Sequence, residues 1–233
     1  MCGRYTLAKT VEEIEEIVGE LAAELPLAPR YNIAPSQPVL SILGACPRQL
    51  TFTQWGLIPS WAKDPTTGSR LINARSETAA EKPAFRASFA RRRCLLPADG
   101  FYEWAKVPGQ RTKQPMYIRL RSEAPFAFAG LWSEWHGPDG TELTTSTILT
   151  TEPNDLVKTV HSRMPVILPP DAYDVWLDPE TSDKDVLTGL LAAYPADAMT
   201  MHPVSTRVNN VRHDAPDCIA PAADAPPEQL GLL

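Results

Sequence analysis

The chain has 233 residues, 43% hydrophobic and 21% charged, which suits one domain or at most two small ones with a sizeable core. No stretch reaches the roughly 18–20 apolar residues of a membrane span, and the N-terminus has no apolar signal core, so a cytoplasmic or nucleoid-associated protein is expected. The net charge of −6 disfavours a polyanionic partner, yet residues 1–120 hold 16 Lys/Arg against 11 Asp/Glu and residues 121–233 hold 6 against 17, an asymmetry that permits a basic face.

The chain opens Met1-Cys2-Gly3-Arg4. Cys is small, so aminopeptidase removal of Met1 is expected to leave Cys2 with a free α-amine and a thiol on adjacent carbons. Such an aminothiol condenses with an aldehyde through nitrogen and closes a five-membered thiazolidine through sulfur. With reference pKa values of about 7.7–8.0 and about 8.5, both groups are usable near neutral pH. Taken alone, the tetrapeptide reads first as an incidental terminus.

Thr10-Val11-Glu12-Glu13 fits a capping box, and Val11, Ile14, Ile17, Val18, Leu21 and Leu25 form one apolar stripe. A helix is therefore predicted from Thr10 to Pro26. Residues 30–35 read as irregular, Val39–Leu43 and Gln49–Trp55 as strands. The loop-rich stretch from Trp55 to Trp61 carries two Trp, each a core plug or a stacking platform. Leu71–Thr78 reads as a short strand entering a helix at Ser76. Asn73 and Arg75, two apart, then share one side and are candidates for phosphate or sugar contact. Phe85–Phe89 and Arg91–Arg93 form a basic helix end, read as a solvated charge run.

Cys94–Leu96 and Phe101–Trp104 read as strands joined by an Asp99-Gly100 turn. Glu103 lies between Tyr102 and Trp104, either exposed or in a partly apolar pocket whose desolvation raises its pKa and suits proton transfer. Strands are predicted at Met116–Leu120, Phe126–Trp132, Thr144–Thr151, Pro165–Leu168 and Met201–Ser205. Helices are predicted at Pro153–Val160, Asp171–Leu177 and Asp183–Tyr194. His161, after the first of these, is placed to titrate or to serve the structure. Cys2, Cys46, Cys94 and Cys218 make no CxxC pair, and the four His lack ligand spacing, so no metal, cofactor or disulfide framework is expected.

Several of these segments recur together in one known family. MCGRY at 1–5, RYNIAP at 30–35, WGLIPSW at 55–61, INARSET at 72–78 and CLLPADGFYEW at 94–104 resemble the SOS response-associated peptidase (SRAP) family. KQP at 113–115, FAGLW at 128–132, TILTT at 147–151, HSRMP at 161–165 and HPVS at 202–205 continue the match in order. The resemblance covers about residues 2–212 and leaves 213–233 as an Ala/Pro-rich tail expected to be disordered.

The resemblance implies an α+β fold: one compact domain around a curved, barrel-like, mainly antiparallel sheet with flanking helices. It implies a substrate, an abasic site in single-stranded DNA, and a covalent product through Cys2. Asn73 would position the sugar and the reacting terminus. Glu103 and His161 would move protons. Arg4, Arg75 and Arg163 would grip phosphates, and Trp61 would stack on a flanking base. Strand cleavage by β-elimination and removal of residues preceding the Cys are further activities it implies. A monomer is the default. Two other readings of these residues stay open: a thiol peptidase using Cys2 and His161, and a non-covalent reader of modified or single-stranded DNA.

Overall fold

The computed structural model describes residues 2–21, 25–109 and 111–222. In chain order the elements are β1 (Tyr5–Leu7), α1 (Val11–Val18), β2 (Arg30–Ile33), β3 (Pro38–Leu43), β4 (Gln49–Trp55), β5 (Asn73–Arg75), α2 (Ser76–Ala79), α3 (Arg86–Arg91), β6 (Arg93–Ala98) and β7 (Gly100–Ala105). They continue as β8 (Gln114–Leu120), β9 (Phe126–His136), β10 (Glu142–Thr151), β11 (Met164–Pro165), β12 (Ile167–Leu168), α4 (Tyr173–Leu177), α5 (Lys184–Gly189) and β13 (Met199–Pro203).

Two sheets share one core. In the first, β3 pairs with β4, β4 with β10, β10 with β9, β9 with β6, and β6 with β3, so the sheet closes into a five-stranded barrel. Closure leaves no free edge in this ring. Within it only β4–β10 is parallel. Strands β5, β11 and β12 add to β10 and β9 outside the ring. The second sheet, in order β13-β8-β7-β1-β2, is antiparallel throughout. Tyr5 of β1 joins the two, packing edge-on against Trp55 at 5.3 Å and Phe128 at 5.7 Å. The fold is thus a single α+β domain with a mainly antiparallel barrel, as the resemblance implied.

Local structure follows the sequence where a cap or an alternation specifies it. Thr10 caps α1 and Glu13 returns the bond, with Ile14 and Val18 buried. The helix nevertheless ends at Val18, not at Pro26, because Gly19 takes φ +76° and donates to Glu15 O. Residues 30–33 are strand, not irregular: pairing with β1 overrides a weak local pattern. The predicted 153–160 helix is reduced to one 3₁₀ turn at Val157–Thr159.

The triple-arginine run divides. Arg91 is exposed and Arg92 lies 5.7 Å over the Trp132 ring, but Arg93 is only 2% exposed. Its guanidinium donates to the carbonyls of Phe89, Ala90, Trp176, Asp178 and Thr181. A buried cation is tolerable when its donors are satisfied, and five carbonyls do that here. Residues 213–222, the first part of the expected tail, are packed: Asp214 accepts from Arg30 and from Tyr31 N–H, and Cys218 is buried. The remainder, 223–233, lies outside the described residues.

Candidate active site

Strand β1 delivers Cys2. It runs antiparallel to β7, with Tyr5 opposite Phe101 and Thr6 opposite Gly100, and Tyr102 N–H donates to Arg4 O at 3.0 Å. Extending that ladder backwards carries Cys2 alongside Glu103 and Trp104. Cys2 is fully buried, with Sγ 3.8 Å from Arg4 O. Burial pushes its thiol well above the usual range, and the charge of nearby Glu103 pushes it the same way.

Glu103 is 3% exposed, so the exposed-strand reading is excluded. Its pocket differs from the one expected. The period of two puts Glu103 on the face of Phe101, which belongs to the main core. Tyr102 and Trp104 point to the opposite face and pack with Tyr31 and Val204.

A second strand brings the next residue. Asn73 on β5 lies opposite Ile148 of β10, and its Nδ2 donates to Cys2 O at 2.8 Å. Asn73 Oδ1 is buried with no hydrogen-bond partner among the described residues. A bond across 71 residues of sequence therefore fixes the Cys2 backbone, and one acceptor remains for an incoming donor.

The end of β10 gathers the remaining groups. Thr150 pairs with Arg75 on one side and with Pro165 of β11 on the other. The Asn73–Arg75 strand and the His161–Arg163 turn thus flank the same stretch of β10. His161 Nδ1 lies 2.9 Å from Arg163 N and 3.1 Å from Arg163 O, so the ring is held against the backbone of its own turn. Arg75 is exposed. The Arg163 guanidinium instead binds Glu77 through two bonds of 2.6 and 2.8 Å.

Arg4 and Trp61 occupy opposite environments. Arg4 is 9% exposed; Nη1 donates to Asn32 Oδ1 and Val208 O, both at 2.6 Å, and the guanidinium lies 5.8 Å over Trp104. It acts as an internal clamp on the segment that carries Cys2. Trp61 is 65% exposed, whereas Trp55 is fully buried with Nε1 donating to Ile72 O. The loop under Trp61 is held: Trp135 Nε1 donates to Ala62 O at 2.7 Å, and Gly56 and Gly68 lie back to back.

Two supports escaped the sequence reading. Asn32 is fully buried, and its Nδ2 donates to the carbonyls of Val208, Asn210 and His213, binding residues 208–213 to β2. Asp99 accepts from Thr6 Oγ1 and from Ala8 N–H, fixing β1 from the other end. No local pattern marks either residue: Asn32 lies in a segment that reads as irregular, and Asp99 in the bend between β6 and β7. Among the described residues one trio, His213, Asp217 and Cys218, has donors close enough for a metal. Its groups are engaged with one another and with Arg207, which accounts for the cluster as an ion-paired knot.

A model of the SOS response associated peptidase (SRAP) family matches residues 1–211. The chain belongs to the SRAP family. This SRAP chain is 45% identical over 222 residues to the Bacillus subtilis abasic site processing protein YoqW, covering 94% of this chain and 99% of that one. It is 36% identical to the Xenopus tropicalis abasic site processing protein HMCES, covering 82% of this chain and 66% of that one. A solved Bacteroides thetaiotaomicron protein shares the SRAP chain's fold with a TM-score of 0.84 at 24% identity, covering 95% and 100% of the two chains. A phage-related protein of Bordetella bronchiseptica matches with a TM-score of 0.69 at 32% identity, covering 88% and 95%. No helix among the described residues is long and apolar enough to cross a membrane.

Proposed function

We propose that this SRAP protein processes abasic sites in single-stranded DNA by forming a covalent cross-link through Cys2 once Met1 is removed. The observation that carries the proposal is the convergence on Cys2: Asn73 holds its carbonyl, and the Glu103 carboxylate is close enough to perturb its thiol. The relatives named as abasic site processing proteins supply the substrate class.

The chemistry follows from the groups present. A ring-opened abasic sugar presents an aldehyde. The Cys2 α-amine adds to it, and loss of one water gives an imine. The Cys2 sulfur then adds to the imine carbon, its proton passes to nitrogen, and the thiazolidine closes. Both nucleophiles belong to one residue, so the second step is intramolecular. A thiol held protonated by burial leaves the first attack to the amine. Glu103 serves the proton transfers beside Cys2, and His161 those of sugar ring opening. Asn73 Oδ1 is the acceptor for the amine or for a sugar hydroxyl. Arg75 meets a backbone phosphate, and Trp61 stacks on a flanking base. Trapping the imine suppresses β-elimination, so strand cleavage is a minor outcome.

A thiol peptidase needs a cysteine whose pKa is lowered, whereas burial and Glu103 raise that of Cys2. The deciding variant is Cys2→Ala, which keeps the α-amine. It should lose the stable cross-link and keep an imine trappable by borohydride. A stable adduct from Cys2→Ala without reductant would sink the thiazolidine route.

A further inference from the structure

Arg163 stands two residues beyond His161, and a carboxylate already occupies its guanidinium. Nη1 donates to Glu77 Oε1 at 2.6 Å and Nη2 to Glu77 Oε2 at 2.8 Å, while Nη2 also donates to Thr150 O at 2.5 Å. A guanidinium makes this two-bond fork with carboxylates and with phosphates alike.

Three observations distinguish the pair from an ordinary structural bridge. First, it is open at the carboxylate end: the Arg163 side chain is 15% exposed and that of Glu77 46%. Second, Arg163 Nε is buried with no hydrogen-bond partner among the described residues. The Glu77 fork thus leaves one guanidinium donor unused, so the pair is not a saturated structural bridge. Third, Arg75 is exposed and sits opposite Thr150, the residue whose carbonyl holds Arg163. Two arginines therefore meet at one point of β10, one open to solvent and one covered by Glu77. A displaced Glu77 has room to turn, because it borders an open depression of about 680 Å³ with Ser76, Thr151 and Glu152.

We infer that Glu77 stands in for a DNA phosphate on Arg163 in the free protein and is displaced by the strand that carries the lesion. The inference rests on the DNA reading above and adds a source of specificity to it. Intact DNA must break the Glu77 fork for one phosphate contact. A lesion strand breaks the same fork and is then held by reaction at Cys2. Glu77 thus lowers occupancy by undamaged DNA more than it lowers the yield of cross-link.

The test uses fluorescence anisotropy with an intact single-stranded oligonucleotide. The wild type is compared with Glu77→Gln, Arg163→Gln and the double variant, each checked by thermal melting. Glu77→Gln should bind the intact strand about two- to fivefold tighter, the range of a partly exposed ion pair. The gain should vanish when Arg163 is also Gln. Unchanged or weaker binding by Glu77→Gln, or the same gain in the Arg163→Gln background, overturns the inference. So does a Glu77→Gln protein that binds no tighter and cross-links more slowly, which assigns Glu77 to holding the His161 turn. Cross-linking of an aldehyde-bearing strand by wild type, run in parallel, judges the DNA reading separately. If the wild type cross-links but Glu77→Gln shows no gain, the inference fails alone.

Discussion

Asn73→Ala is the perturbation that tests how Cys2 is positioned. It deletes the Nδ2 donor, whose bond to Cys2 O measures 2.8 Å, together with the Oδ1 acceptor. The backbone pairing of Asn73 with Ile148 survives, so β5 stays on β10. What is lost is the partner of a carbonyl on a fully buried residue, worth about 1–3 kcal/mol. If that energy holds Cys2 in its reacting position, the cross-linking rate falls by about five- to 150-fold, since about 1.4 kcal/mol is tenfold in rate. Asn73→Asp should be slower still, because it points a carboxylate oxygen at the Cys2 carbonyl. The assay is single-turnover cross-linking to an abasic oligonucleotide, with affinity for an aldehyde-free analogue measured beside it. The rate should drop by more than the affinity does. An Asn73→Ala protein that melts normally and cross-links at the wild-type rate refutes the positioning role.

Other outcomes follow from burial and charge. Cys46 is exposed while Cys2, Cys94 and Cys218 are buried, so iodoacetamide followed by peptide mass mapping should label Cys46 first; early labelling of Cys2 contradicts its burial. Desolvation raises the Asp99 pKa above 3.8, against the opposing bonds from Thr6 and Ala8. A folded pKa above the unfolded one adds stability at low pH that is lost as pH rises through the folded value. The stability of wild type minus that of Asp99→Asn, from urea unfolding, should therefore fall as pH climbs through that window, and a rise contradicts the assignment. A Cβ on Gly68 would lie 2.6 Å from Gly56 O, so Gly68→Ala should cost about 1–3 kcal/mol in urea unfolding; an unchanged midpoint contradicts the back-to-back packing of the two loops.

The sequence disclosed what local rules encode. The capping box at Thr10, the alternation in β4 and the strand-to-helix switch at Ser76 are short-range features, and each is present. What it could not disclose is set by distant partners. β2 is a strand because β1 lies beside it, and the barrel closes because β10 meets both β9 and β4. Trp55 and Trp61 had the same local standing, yet one anchors β4 to Ile72 and the other stands in solvent. At the site, Asn73 and Glu103 were legible as candidate functional residues, but their placement beside Cys2 depends on sheet register. The bonds of Arg4 to Asn32 and Val208 reach across 28 and 204 residues, so no local pattern shows them. The tie of Arg163 to Glu77 likewise comes from α2, 86 residues away in sequence.

The central claim is that the chain joins DNA through an aminothiol at residue 2. The direct measurement is mass spectrometry of the product formed with single-stranded DNA containing one abasic site, after denaturing separation and proteolysis. The account predicts that the adduct lies on an N-terminal peptide beginning at Cys2, with protein retaining Met1 left unmodified. An adduct on any other residue, or on a peptide that still carries Met1, contradicts it.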